Sequence, residues 1–354
     1  MTKKLLTFFF IGTLIFSLSG CSSKQTPSDT TDSTDQQTES ETLPEDSKAY
    51  EELSLALPVA DHEGWSLSGI LTLPDGEGPF PAVILVHGSG PSDRDETIYE
   101  NKPFKDIADG LAAHGIAVYR YDKRTYIYGK EMASDIDLTS KQETLIDASE
   151  AVKLLSDQPQ IDASRIYVVG HSLGGQAIPR IQNMLKQYET QAAGYIFLAA
   201  PARDLAALMR EQFDFLYSLT PVLSDTQKEQ KEEVYAQLDQ LNHLDDFDPS
   251  QPILGAYPAY WRDILSYDPV QTAESMTEPC LLLQGEEDYQ VTMTDFELWK
   301  SAFGEKENWT FQSYPGLTHL FMPGKKENAN ASYLKKQHVD EAVIQSIADF
   351  VQTN

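Results

Sequence analysis

Short apolar runs alternate with amphipathic segments from about residue 53 to the end of the chain. Residues 82–86 form a continuous apolar run, which is typical of a strand that is buried on both faces of a parallel sheet. The segment 103–115 carries apolar residues at helical spacing and ends in a glycine, as helices often do. Residues 116–121 then predict a second strand.

The same alternation continues to the C-terminus. Ser140 and Glu143 form a capping-box pattern, which predicts the start of a helix. Residues 65–73 alternate apolar and polar positions and predict an antiparallel strand. Further strands are predicted at 166–169, 195–200, 281–284 and 309–314, and further helices at 173–187, 296–303 and 339–350. The order predicts the α/β class, with a mainly parallel sheet and helices on both of its faces.

The connection between the strands at 195–200 and 281–284 is too long for a single helix. Several helical patterns fill residues 203–268, and long excursions of this kind are usually lids or binding elements. We expect a helical cap over the C-terminal edge of the sheet, with the acidic stretch 225–248 as a solvated helix face. Its aromatic residues either line a substrate pocket or form the core of the cap itself: Phe213, Phe215, Tyr217, Tyr257, Tyr260 and Trp261.

Composition narrows the function classes. The chain of 354 residues has 27 Lys and Arg against 55 Asp and Glu, a formal net charge of −28, and no basic run interrupts the acidic surface. Such a surface repels phosphate backbones, so we expect no nucleic-acid partner. With only Cys21 and Cys280 available, a disulfide framework and a structural zinc site are both excluded. We expect Cys280 to be a small buried residue on its strand.

The N-terminus has the pattern of an export signal. Lys3 and Lys4 precede an apolar run at 5–18, which is shorter than the roughly 20 residues that a spanning helix needs. The sequence Leu-Ser-Gly-Cys that ends at Cys21 resembles the bacterial lipobox. We therefore expect a signal peptide at 1–20, a lipidated Cys21 and a disordered acidic tether at 21–52, which place the protein outside the cytoplasm on the bacterial cell membrane. An ordinary cleaved signal, or a short anchor with an incidental Cys21, is the alternative.

One five-residue motif indicates nucleophilic catalysis. Residues 170–174 read Gly-His-Ser-Leu-Gly and lie between a predicted buried strand and a predicted helix. That context is the one that a G-x-S-x-G nucleophile elbow requires, because the tight turn exposes the serine oxygen above the sheet. Ser172 is the predicted nucleophile.

A serine hydroxyl needs a base, and the base needs a carboxylate to orient it. Of the seven histidines, His319 follows the last predicted strand and precedes the last helix, which is where this arrangement places the base. Asp288 is the favoured acid because it follows the strand 281–284 at the usual spacing. The acidic alternatives are Glu286, Glu287 and Asp295.

Two backbone N–H groups are expected to stabilise the oxyanion of a tetrahedral intermediate. One is the N–H of Leu173, directly after the nucleophile. The other is the N–H of Ser89, in the His-Gly-Ser-Gly-Pro loop at 87–91, where glycines allow the backbone to approach a substrate closely.

Together these motifs resemble the α/β-hydrolase superfamily, over residues 53–354. The stretches 87–95 and 121–124 resemble a subgroup of capped bacterial esterases related to serine aminopeptidase-like and dienelactone hydrolase-like proteins. The resemblance implies a triad of Ser172, Asp288 and His319 with Ser89 and Leu173 as oxyanion donors. A serine nucleophile departs from the cysteine of dienelactone hydrolases proper. We expect Asp122 and Arg124, in the second stretch, to play a structural role.

The expected function is hydrolysis of small carboxylic esters through an acyl-enzyme, with no metal and no organic cofactor. A peptidase on the same triad is the nearest alternative, in which Asp245, Asp246 and Asp248 of the cap would hold a substrate ammonium group. A non-catalytic binding lipoprotein is the third possibility. The sequence does not indicate an oligomeric state.

Overall fold

The computed structural model describes residues 50–220 and 222–354. The predicted signal peptide, the lipidation site Cys21 and the tether up to residue 49 lie outside the described residues. Within the described part of the chain, every helix is too short or too polar to cross a membrane.

The described residues form ten strands: β1 Tyr50–Ser54, β2 Leu57–Pro58, β3 Ser66–Leu67, β4 Gly69–Pro74, β5 Phe80–Val86, β6 Ala117–Tyr121, β7 Ile161–His171, β8 Gly194–Leu198, β9 Cys280–Gly285 and β10 Trp309–Tyr314. Eight of them form the central sheet, in the order β1-β4-β6-β5-β7-β8-β9-β10. From β6 to β10 all neighbours are parallel, whereas β1 and β4 pair antiparallel at one edge. The predicted α/β class with a mainly parallel sheet is confirmed.

Helices cover both faces of this sheet. They are α1 Pro103–Ala113, α2 Arg124–Ile127, α3 Gly129–Met132, α4 Ile146–Ser156, α5 Leu173–Gln187, α6 Leu205–Ser218, α7 Asp225–Gln240, α8 Pro258–Leu265, α9 Pro269–Ala273, α10 Met293–Phe303, α11 Ala329–Tyr333 and α12 Glu341–Thr353. Successive side chains of a strand point to opposite faces. Accordingly, Val83 and Leu85 of β5 belong to the apolar cluster that contains the buried residues of α1 and α12, whereas Ile84 and Val86 belong to the cluster that contains those of α4, α5 and α10.

Two local predictions differ from the structure in their boundaries. The predicted strand at 65–73 is interrupted at Ser68, so that β3 pairs with β2 in a separate two-stranded sheet and β4 joins the main sheet. The first strand begins at Tyr50, three residues before the expected start of the domain, because its backbone pairs with β4. A side-chain pattern reveals little about such an edge strand, whose residues are mostly exposed or half-buried.

The predicted capping box at Ser140 is wrong. Ser140 donates its hydroxyl to Asp263, and the Glu143 carboxylate accepts from Lys123 Nζ at 2.6 Å, so neither side chain caps the helix. Thr139 makes capping contacts instead, because its Oγ1 accepts the Lys141 N–H at 3.3 Å and its N–H donates to Gln142 Oε1 at 3.1 Å. A π-helical turn, Lys141–Leu145, then leads into α4. Ser140 and Glu143 therefore do not cap the helix because they bond to charged residues outside it.

The segment between β8 and β9 contains α6 to α9 and a 3-10 turn, Leu241–Asp246. Its side chains form a separate apolar cluster that includes Phe213 and Trp261, and this cluster reaches the sheet through Leu173 and Val291. Phe213 and Trp261 therefore belong to the insertion's own core. Both contact points with the sheet follow the C-terminal ends of strands, so the insertion lies beside that edge.

Candidate active site

The predicted elbow joins β7 directly to α5. Ser172 lies between them with φ 54° and ψ −121°, a strained conformation for a residue with a side chain, typically costing about 1–3 kcal/mol. Two glycines make the turn sterically possible. A Cβ on Gly170 would lie 2.3 Å from the carbonyl oxygen of Gly174, and a Cβ on Gly174 would lie 2.4 Å from that of Val86. Hydrogen bonds hold the turn, since the Ser172 N–H donates to the Leu198 carbonyl at 2.8 Å.

Asp288 and His319 come from the loops after β9 and β10, and the parallel pairing of these strands brings the two loops together. His319 Nδ1 lies 2.6 Å from Asp288 Oδ2, and both residues are buried. The other carboxylate oxygen of Asp288 accepts from the backbone N–H groups of Gln290 at 2.7 Å and Val291 at 3.1 Å. The carboxylate orientation is therefore set by the backbone. An ionised carboxylate against Nδ1 favours the tautomer that leaves Nε2 free to act as a base.

The alternative acids have other partners. Glu286 accepts from Ser313 Oγ at 2.8 Å, and Glu287 accepts from the Lys326 N–H at 3.2 Å. Asp295 is buried in α10, where it pairs with Arg203. Of these four carboxylates, Asp288 is the one whose oxygen lies within hydrogen-bond distance of His319.

Ser172 and His319 line one open cleft, together with residues of the loop after β5. Ser89 lies in that loop and lines the same cleft, whereas Asp288 is buried behind His319. The structure therefore brings four of the predicted site residues to one place. Leu173, the fifth, begins α5 directly after the nucleophile.

The two predicted oxyanion donors have no competing acceptor among the described residues. The N–H groups of Ser89 and Leu173 donate to no other described group, whereas the N–H of Gly88 donates to Glu96 Oε1 at 2.8 Å. The loop also approaches the elbow closely, since a Cβ on Gly88 would lie 3.1 Å from Ser172 Cβ. The partial positive charge at the N-terminus of α5 adds to the attraction for an anion.

Glu96, which no sequence motif indicates, lies in the cleft with φ 51° and is buried. Its Oε2 lies 2.8 Å from His171 Nδ1, and the other ring nitrogen of His171 lies 3.0 Å from the carbonyl oxygen of His319. Burial alone would lower the pKa of His171, but the Glu96 carboxylate, the His319 carbonyl and the charge of Asp288 together outweigh burial, and the net direction is up. Burial raises the pKa of Glu96, but the nearby His171 and His87 and the Gly88 N–H together outweigh burial, and the net direction is down. The sequence contains no pattern that links these two residues.

A second buried pair of charged residues, Lys123 and Glu143, supports the loop after β5. Lys123 Nζ donates to the carbonyl of Gly88 at 2.9 Å and to Glu143 Oε1 at 2.6 Å. Neighbouring Asp122 accepts from the backbone and side chain of Arg94. The stretch after β6 thus braces the loop that contains Ser89.

Arg124 and His87 make structural contacts. Arg124 forms a two-bond ion pair with Asp147. His87 Nε2 lies 3.0 Å from the carbonyl of Asp93, and burial lowers the pKa of His87 to about 4. His87 is therefore neutral at physiological pH.

The predicted ammonium-binding carboxylates of the insertion lie elsewhere. Asp245, Asp246 and Asp248 are exposed, and none of them lines the cleft. Within residues 50–220 and 222–354, no group of three or more His, Cys, Asp or Glu side chains is arranged to hold a metal ion.

Several known proteins are similar to this chain. The esterase EstD of Thermotoga maritima is 42% identical over 282 residues, which cover 80% of this chain and 64% of EstD, so the chain spans less than two-thirds of that relative. Among solved structures, an esterase of Pyrobaculum calidifontis superposes with a TM-score of 0.55 at 16% identity, covering 86% of this chain and 85% of that one. The Pyrococcus furiosus esterase Pf2001 gives 0.52 at 15% identity, covering 86% and 90%. These two likenesses establish the shared fold.

The match to a family model agrees with this fold and with the position of the elbow. The model of the alpha/beta hydrolase family matches residues 83–327, a range that begins in β5 and includes Ser172, Asp288 and His319. With a mainly parallel sheet of eight strands and an elbow between β7 and α5, the chain belongs to the alpha/beta hydrolase family.

Proposed function

We propose that the protein is a serine hydrolase that cleaves carboxylic esters of small molecules through an acyl-enzyme. The observation that carries the proposal is the hydrogen bond of 2.6 Å between His319 and Asp288, in a site where His319 and the strained Ser172 line the same cleft. The similarity to the esterase EstD supports an ester over other acyl substrates.

In the proposed mechanism, Ser172 Oγ attacks the ester carbonyl while His319 Nε2 takes its proton. Asp288 holds the imidazole in the required tautomer and stabilises the imidazolium that forms. The N–H groups of Ser89 and Leu173 bind the oxyanion. His319 then protonates the leaving alcohol. In the second half-reaction, His319 takes a proton from the water that attacks the acyl-enzyme and returns it to Ser172 Oγ as the carboxylic acid leaves. Every step uses groups of this chain and water.

The test is covalent labelling of the full-length chain with a fluorophosphonate, mapped by peptide mass spectrometry. The reagent loses fluoride to an activated serine, so we expect a stoichiometric adduct on Ser172. Ser172→Ala should abolish labelling and lower kcat for p-nitrophenyl esters by about 10⁴–10⁶-fold. Ser134→Ala is the matched control, because Ser134 is exposed and does not line the cleft. Folded protein without an adduct, or ester cleavage insensitive to Ser172→Ala, would favour a non-catalytic binding protein.

A substrate panel separates an esterase from a peptidase. We expect p-nitrophenyl acyl esters to be hydrolysed at a far higher kcat/KM than aminoacyl anilides, since no carboxylate of the described insertion reaches the cleft to hold an ammonium group. Efficient turnover of the anilides would replace the ester proposal with the peptidase alternative.

We also propose that Cys21 anchors the enzyme to the outer face of the cytoplasmic membrane of a bacterium. The support is the sequence around Cys21, which resembles a lipobox and follows a short apolar run. Two or more acyl chains give stable attachment where one gives only marginal binding. Cys21→Ser should lose incorporation of labelled palmitate and leave the membrane fraction. Retention of the label in that variant would refute the anchor.

A further inference from the structure

The Glu96–His171 pair lies beside the nucleophile but takes part in none of the steps above. His171 directly precedes Ser172 in the chain, and the two residues of the pair are each about 5% exposed. Both line the cleft. The pair connects three segments that the proposed reaction uses: the loop at Gly88, the elbow, and the loop that contains His319.

The contacts of His171 determine where its protons are. One ring nitrogen, Nε2, lies 3.0 Å from the carbonyl oxygen of His319. A carbonyl only accepts, so this nitrogen must carry a hydrogen. The other nitrogen, Nδ1, lies 2.8 Å from the carboxylate of Glu96. If Glu96 is ionised, this nitrogen must also carry a hydrogen, and the ring is an imidazolium.

The surroundings of Glu96 favour its ionised form. Its second oxygen accepts the Gly88 N–H at 2.8 Å, and a hydrogen bond to the charged form of a carboxylate stabilises that form. Three groups face His171: the Glu96 carboxylate, the ring of His319 at 4.6 Å between centroids, and Asp288 behind that ring. The ring of Phe104 lies edge-on to His171, with a centroid distance of 6.4 Å. The pKa of His171 is shifted in the direction that agrees with this assignment.

We propose that Glu96 holds His171 as a buried imidazolium, and that this ion pair is a positioning device that fixes the backbone of His319 and the loop carrying the Ser89 N–H. The positioning role rests on the proposed function, but the protonation state does not. His171 and His319 are 148 residues apart in sequence, and the hydrogen bond between them joins the elbow to the loop of the base. A charged donor forms a shorter and stronger hydrogen bond to a carbonyl than a neutral one. The ion pair therefore restrains the base and the oxyanion loop together.

The variant Glu96→Gln separates charge from shape. The amide oxygen can accept the Gly88 N–H in place of Oε1, and its NH₂ group then faces His171 Nδ1. That contact requires Nδ1 to act as an acceptor, so His171 becomes neutral while both connections remain. Glu100→Gln is the matched control, because Glu100 is exposed on the same loop.

The protonation is read by NMR of the full-length chain labelled with ¹⁵N-histidine, with the His171 signals identified by their loss in His171→Gln. At about pH 8.5, roughly two units above the ordinary histidine pKa, we expect both ring nitrogens of His171 to carry hydrogen. In Glu96→Gln, only one ring nitrogen of His171 should carry hydrogen. A single protonated nitrogen in the unmodified chain at this pH would overturn the proposal, whether or not the protein hydrolyses esters.

Kinetics test the positioning role. For Glu96→Gln we expect kcat to fall by about 10–100-fold with KM changed by less than about threefold, because small displacements of reacting groups carry costs of this size. Glu100→Gln should keep both constants. Unchanged kcat in a folded Glu96→Gln variant would refute positioning. If that variant does not fold, the spectrum of the unmodified chain still decides the protonation state. Inactivity of the unmodified chain would refute the proposed function instead.

Discussion

The substitution Asp288→Asn tests the assignment of the triad acid most directly. In the structure, Asp288 Oδ1 accepts two backbone N–H groups, from Gln290 and Val291, and Oδ2 faces His319. An amide in this position must place its oxygen on one side and its NH₂ on the other. With the oxygen on the backbone donors, the NH₂ faces His319 Nδ1. In this orientation the NH₂ group replaces Oδ2, so the hydrogen bond of 3.2 Å that Gln284 Nε2 donates to Oδ2 is lost.

The reverse orientation is costlier. It would leave two buried backbone N–H groups without acceptors, at about 1–3 kcal/mol each. The amide of Asp288→Asn therefore donates to Nδ1 and moves the imidazole hydrogen to Nε2. His319 then has no lone pair toward Ser172 and cannot take its proton. A change of tautomer of this kind lowers kcat by about 10⁴-fold, which corresponds to about 5 kcal/mol of transition-state stabilisation.

The assay is the steady-state hydrolysis of a p-nitrophenyl ester at pH 7. We expect the large effect in kcat and little change in KM, because Asp288 does not line the cleft. The matched control is Glu286→Gln, which removes a neighbouring carboxylate that is exposed and bonded to Ser313. It should keep kcat within about threefold of the unmodified chain. Asp288 is not the triad acid if Asp288→Asn retains more than a tenth of the activity, or if Glu286→Gln loses as much activity as Asp288→Asn.

Three further predictions concern the scaffold of the site. Gly174→Ala would place a Cβ 2.4 Å from a backbone oxygen, so we expect more than about 100-fold loss of ester hydrolysis and about 1–3 kcal/mol lower free energy of unfolding. Gly129→Ala, with open space around its Cβ, should behave normally in both assays. Lys123→Met leaves the Glu143 carboxylate buried without its cation, and urea denaturation at pH 7 should show a loss of about 3–5 kcal/mol; the double variant with Glu143→Leu should recover most of it. Finally, because burial lowers the pKa of His87 from 6.5 to about 4, the unfolded chain binds this proton first as the pH falls. The free energy of unfolding should therefore decrease by about 3 kcal/mol between pH 6.5 and 4, and parallel pH profiles for the unmodified chain and His87→Gln would contradict this.

The fold class was predictable because burial constrains sequence strongly. A strand covered on both faces is mostly apolar, and β6, β8 and β9 are buried at every position, with Arg120 in β6 and Gln284 in β9 as polar exceptions. Such runs stand out in the sequence as largely apolar segments. The edge strand β1 has no such requirement, and the sequence pattern did not reveal it.

The candidate nucleophile was also accessible to sequence reasoning, because the elbow imposes local rules. Positions 170 and 174 must be glycine, because a Cβ there would lie within 2.5 Å of backbone atoms. The elbow therefore leaves a recognisable motif in consecutive residues. Asp288 and His319 follow the ends of strands, and the C-terminal ends of parallel strands meet at one edge of the sheet. Chain order alone therefore predicted their neighbourhood.

The polar contacts around the site could not be predicted in this way. Ser140 and Glu143 have the spacing of a capping box, yet Ser140 donates to Asp263 and Glu143 accepts from Lys123. Glu96 carries no sequence signal that distinguishes it from other acidic loop residues. A buried charge requires a partner, but which partner it finds depends on elements that are distant in the chain.

The sequence by itself determined the order of strands and helices, the elbow and the residues that can follow each strand, because these depend on local geometry and on burial. The tertiary structure alone decided which charged groups meet beneath and beside the cleft, such as Lys123 with Glu143 and Glu96 with His171. The physical reason is that apolar burial is non-directional and is satisfied by many neighbours, whereas a buried hydrogen bond requires one particular partner at a fixed distance and angle.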